Sequence, residues 1–228
     1  MFQLRLNVNG TQRVLWPRKD AGVARLGRDF LAAQQQRAEA ERFPRLDLIE
    51  GPVQVTEDAI IVAEQAEADR MTASGKEKEA LGRVKGLLRT IIAGLTYRYL
   101  GELEVLGQWG IPVVGIGESA RTRAPRKKQD VLDTVTRYIA REELLPEEER
   151  LATPALSEVT AVWEELVAVM EQRRDALIQR EKSIAQRAAE ARVLLQWLQL
   201  AAAYHIMVDY GGVVDARLQD LGFEVAAI

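Results

Sequence analysis

The stretch from Leu156 to Tyr210 constrains this chain more than any other, because it reads as one long helix. Thr153 can cap it, Pro154 suits a first helical position, and Gly211-Gly212 stops it. Every seventh residue from the start is Leu156, Trp163, Met170, Leu177, Ile184, Ala191, Leu198 and His205. The companion positions are Val159, Leu166, Arg173, Arg180, Arg187, Leu194 and Ala201, so apolar ends flank an arginine-rich middle. Such a helix would be ~80 Å long, more than a compact domain of 228 residues can cover. Trp163, Leu166, Met170, Leu195 and Leu198 are the expected helix-packing residues.

A second long helix answers the first. The stripe Leu81, Val84, Leu88, Ile91, Leu95, Tyr99, Leu103 and Leu106 advances by three or four residues at each step. This predicts helix from about Thr56, a good cap, to Trp109. The segment Leu46–Val55 has β character around Gly51-Pro52, and residues 56–63 suit either a helix start or a strand, with helix preferred. Ser74-Gly75 is the expected kink. Glycines 82, 86, 94, 101 and 107 mark either a face approached closely by another helix or a locally weakened helix. Large apolar residues are sparse in Glu64–Arg83 and in Glu171–Arg192. The matching polar stretches predict an antiparallel pair in which Glu64, Glu67, Glu77 and Glu79 either face the arginines or are simply solvated.

The remaining segments are short. Phe2, Leu4, Leu6 and Val8 alternate with polar residues before Asn9-Gly10, a strong hairpin signal, and Thr11–Trp16 would form the second strand. Asp20 can cap a helix to about Phe43. Gly110–Arg126 reads as a loop, and Asp130 can cap a short helix whose face is Val131, Val135, Tyr138 and Ile139. A short helix and an apolar strand, Phe223–Ile228, close the chain. The expected fold is mainly α: a long antiparallel helical hairpin or bundle, with a small β element from the N-terminal hairpin and the C-terminal strand. The expected divisions are 1–55, hairpin plus helix; 56–212, long-helix bundle with a 110–153 loop and short-helix insertion; and 213–228, a helix-strand tail.

Composition removes whole classes of chemistry. No cysteine is present, so there are no disulfides, thiolate nucleophiles or Cys-based metal sites. Cations (31) and anions (34) nearly balance at a net charge of −3, which disfavours a generally basic nucleic-acid surface. No signal peptide or membrane span is read, and the expected location is cytoplasmic or within an assembled particle. His205 is the single histidine. With Asp209 it makes at most half of a metal site, and a core role suits it better. Asp130 and Asp133 are first-turn acids rather than metal ligands. The glycines at 110, 115 and 117 lack the Gly-Lys-Ser/Thr ending of a phosphate loop. No catalytic, cofactor-binding or metal residue is nominated, and no cofactor is expected.

One dense basic cluster stands out: Arg121, Arg123, Arg126, Lys127 and Lys128. It can grip phosphate or an acidic partner, although no aromatic residue is interleaved to stack on bases. The expected function is a non-enzymatic assembly protein that forms homo-oligomers through its long helices and terminal β segments, because long amphipathic stripes need partners to bury them. The alternatives are a binding module that uses loop 121–128 on an anionic ligand or nucleic acid, and an enzyme whose site is scattered along the sequence.

Overall fold

The computed structural model describes residues 12–115 and 119–227. The elements are β1 (Gln12–Leu15), α1 (Asp20–Gln36), α2 (Asp47–Arg98), β2 (Val113–Val114), β3 (Arg121–Thr122), α3 (Lys128–Glu143), α4 (Leu156–Val208) and β4 (Glu224–Ala227), with short 3-10 turns between several of them. The fold is mainly α with a small terminal sheet. β1 and β4 pair antiparallel, Gln12 opposite Ala227 and Leu15 opposite Glu224. The second strand of the expected hairpin therefore takes the C-terminal strand as its neighbour. The expected first strand and the Asn9-Gly10 turn lie outside the described residues.

The chain forms two compact units, residues 1–68 with 178–228 and residues 69–177. In the first unit, α1 lies against the N-terminal part of α2 and the C-terminal part of α4. Phe30, Ile49, Leu194, Leu198, Ala201, Leu218 and Phe223 form its core, all nearly inaccessible. Gly27 permits the approach of α1: a Cβ there would stand 2.5 Å from Val53 Cγ2 and 3.3 Å from Leu194 Cδ2. As α2 runs from Val53 to Glu67, its neighbours on α4 run back from Leu194 to Arg180, so the two helices are antiparallel.

In the second unit, α3 and the turn at Leu103–Trp109 pack on α2 and α4 around Ile91, Leu95, Trp109, Val135, Tyr138 and Leu166. The face Val131, Val135, Tyr138 and Ile139 is buried as expected. Glu77–Arg173 and Arg83–Glu165 again run antiparallel. Of the helix-packing residues, Leu166 and Leu198 are fully buried, while Trp163, Met170 and Leu195 pack half-buried against the cores.

Where large apolar residues are sparse, the buried positions apart from Glu77 are small. They are Ala66, Ser183 and Ala191 in the first unit, and Ala73 and Ala80 in the second. Two of the four carboxylates meet arginines: Glu67 with Arg180, and Glu77 with Arg173. Glu77 also receives Lys128. Burial pushes the Glu77 carboxyl up, but hydrogen bonds and charges from Lys128 and Arg173 outweigh it and hold it below the usual range. Glu64 and Glu79 form no salt bridge among the described residues.

Several local expectations are corrected. Helix α2 starts at Asp47, so Leu46–Val55 is not β and Thr56 is not a cap. Ile49, Val53 and Thr56 are buried on one helical face, and that burial outweighs the local cost of Gly51-Pro52. Pro52 lies near the start of the helix, where its missing N–H forfeits only the bond to the Leu48 carbonyl. The helix ends at Arg98 rather than Trp109, because Gly101 adopts φ 100°; Leu106 reaches the core from a 3-10 turn instead. The helix runs through Ser74-Gly75 without an interruption. Helix α1 stops at Gln36, short of Phe43. Asp20 and Asp130 sit in first turns, after N-caps Lys19 and Lys127, and Asp20 pairs with Arg187. Helix α4 starts at Leu156, where the Val159 amide closes the first turn on the Ala155 carbonyl, so neither Thr153 nor Pro154 takes its expected place.

Candidate functional site

Three places in the molecule hold arrangements beyond ordinary core packing. The first surrounds His205, in the first unit. Its ring is inaccessible and touches Phe30, Phe43 and Tyr204. Gln34 Oε1 accepts the Phe43 amide at 2.7 Å, which leaves the Gln34 nitrogen to donate to His205 Nε2 at 3.0 Å. His205 Nδ1–H then donates to Asp209 at 2.8 Å, and Arg37 also donates to Asp209 at 2.8 Å. The network thus selects the neutral Nδ1–H tautomer. Burial lowers the imidazole pKa below its ordinary 6.5, against the raising effect of Asp209. Burial raises the Asp209 carboxyl, but His205 and Arg37 outweigh it and keep it below the usual range. An inaccessible imidazole with no neighbouring nucleophile cannot take a proton from a substrate in solution. The arrangement is a core clamp between α1 and α4.

The second is an apolar face on the same unit. On α4, Val193, Leu200 and Met207 are spaced by seven and are 42%, 46% and 62% exposed; on α2, Val55 and Val62 are 44% and 53% exposed, with Leu48 half-buried. Seven residues return a helix to within about 20° of the same direction, so each set is a stripe. The residues that meet α1 are Val53 and Glu57 on α2, and Arg187, Leu194 and His205 on α4. At ~100° per residue both stripes point away from those positions. The antiparallel helices are therefore covered by α1 on one side and bare on the other. Trp197 and Tyr204 flank the α4 stripe half-buried, and Gln186, Ala189 and Gln196 extend it without a charge. Sequence reasoning centred the helix on His205 and Leu198 and missed this second seam, although its seven-residue spacing was there to be read.

The third place holds the basic cluster, in the second unit. β2 and β3 pair antiparallel over two residues each, so Arg121 stands on a strand rather than in a loop. The Arg123 amide donates to the Pro112 carbonyl at 2.9 Å, Thr96 meets Thr122, and Lys85 Nζ donates to the Arg126 carbonyl at 3.3 Å. The segment is thereby fastened to α2. A cleft of about 450 Å³ lies between them, lined by Lys85, Leu88, Arg89, Thr122, Arg123 and Arg126 among others. The structure brings Arg123 and Arg126 into it; Arg121 and Lys127 stay exposed outside, and Lys128 is taken by Glu77. Lys85 and Arg89 were not among the expected site residues. The signal that would have found them is the four-residue spacing of two cations on α2.

Comparison with protein-family models, characterised proteins and solved structures yields no match for this chain. Among the described residues no cluster of three or more His, Asp or Glu could hold a metal ion, and no helix is long and apolar enough to cross a membrane.

Proposed function

We propose that this protein is a non-enzymatic assembly protein that forms homo-oligomers through the bare face of α2 and α4 in its first unit. The supporting observation is the pair of exposed apolar stripes on the side away from α1. A second copy presenting the same face would complete a four-helix layer, with Leu200 near the two-fold axis and Val193 of one copy near Met207 of the other. The uncharged centre of the face suits this, since charged residues are depleted at interface cores. The terminal strands already pair within the chain, so the helices carry the reading.

The stripe from Val193 to Met207 is about 21 Å long, and two adjacent helices are roughly 20 Å wide. About 400 Å² a side follows, below the roughly 1,000 Å² in total that a stable interface clears, so assembly is weak and expected only at micromolar concentrations or above. Light scattering over a concentration series tests it. The mass should rise with concentration, and Leu200→Glu with Met207→Glu should hold the protein monomeric without unfolding it. A monomer at every concentration would overturn the reading.

A further inference from the structure

The cleft in the second unit differs from the places where arginines bridge the helices of this molecule. Arg28, Arg37, Arg83, Arg173, Arg180 and Arg187 each have a carboxylate within salt-bridge distance. The four cations that line the cleft, Lys85, Arg89, Arg123 and Arg126, have none among the described residues. They come from two elements, α2 and the segment at and after β3, which are joined by the Lys85–Arg126 and Thr96–Thr122 hydrogen bonds. Four like charges gathered in one concave place repel one another, and water alone screens that repulsion. An anion relieves it.

We propose that this cleft binds the di- or triphosphate group of a small soluble ligand. Two considerations narrow the chemistry. Guanidinium groups present paired N–H donors that match phosphate oxygens two at a time, and three of the four cations are arginines. Four positive charges exceed what a singly charged anion neutralises and match a pyrophosphate-like group. The volume suits a small molecule. The absence of an aromatic side chain from the lining speaks against stacking on the bases of a single-stranded nucleic acid. Thr122 adds a hydroxyl, and the Leu88 side chain forms an apolar floor.

Calorimetric titration of the full chain with pyrophosphate tests the site. One ion should bind per chain, with affinity falling steeply between about 0.01 M and 1 M ionic strength, where the screening length drops from roughly 30 to 3 Å. Arg89→Gln with Arg123→Gln should weaken binding by roughly tenfold or more, as loss of charge-assisted hydrogen bonds does, and should leave the melting temperature unchanged. Lys127→Gln, outside the lining, should change affinity by less than about twofold, since exposed charges beyond the site are screened. Arg123→Lys should recover part of the loss and thereby separate charge from fork geometry. Undetectable binding would overturn the proposal, as would binding that survives the double substitution. Tighter binding to duplex DNA, or to vesicles of anionic phospholipid, than to pyrophosphate would overturn it too, in favour of an extended polyanion.

Discussion

The two units solve the same packing problem and leave different things undone. In both, a shorter helix lies across an antiparallel pair drawn from α2 and α4. In the first, α1 presses so closely that a glycine is required at position 27, the buried Gln34 and His205 are satisfied while the Thr56 hydroxyl is not, and what stays open on the helix pair is apolar. In the second, Gly82 and Gly86 have no atom near a notional Cβ, the buried Tyr138 hydroxyl and Glu142 Oε1 find no hydrogen-bond partner, and what stays open is cationic. One helix pair thus leaves an apolar face open in one unit and a cation-lined cleft in the other.

Core truncation should give the largest effects and tests whether the two cores are equivalent. Leu198→Ala in the first and Leu166→Ala in the second are each expected to cost roughly 2–4 kcal/mol in chemical denaturation. Leu177→Ala, at a half-buried position, should cost clearly less. Equal losses at all three would contradict the burial pattern.

The glycines sharpen the contrast. Gly27→Ala should destabilise by about 1–3 kcal/mol, because the new methyl would collide with Val53 and overpacking outweighs the gain in helix propensity. Gly82→Ala meets open space in the middle of α2 and should stabilise by about 0.5–1 kcal/mol. Thermal unfolding of the two variants reads both signs, and a gain at Gly27 would mean that α1 is not held against α2.

Acidification is read as a slope rather than a loss. His205 titrates below 6.5 in the folded chain, so the unfolded chain binds more protons. Its contribution is complete above pH 6.5 and declines as pH falls toward the lowered folded value. The Asp209 and Glu77 carboxyls are also held low and contribute only further down, below about pH 4.5. The melting temperature should therefore fall between pH 7 and 5 in the parent and fall less in His205→Gln. Parallel slopes would show that the imidazole does not carry the proton uptake.

Much of the architecture was legible because helical periodicity is a local property. Helix α4 and the buried face of α3 follow from spacings within one helix, whereas the meeting of Glu77 with Arg173 is only one of two readings that the matching polar stretches allow. The start of α2 was misread because Gly51-Pro52 sends a strong local signal, while the burial of Ile49 and Val53 that overrides it depends on α1 and α4. Gly27 looked unremarkable for the same reason: its neighbours Val53 and Leu194 are remote in sequence. Of the cationic cleft, sequence exposed the half that lies in one run, Arg123 and Arg126. Lys85 and Arg89 join it only because the hairpin of β2 and β3 folds back on α2.

The clamp around His205 has one more consequence. Because the chain's single histidine is sealed in one core as a defined neutral tautomer, its ring nitrogens should give one isolated pair of magnetic resonance signals. The molecule carries a built-in reporter of the first unit: opening α1 from α4 would shift those signals, whereas events confined to the second unit would leave them in place.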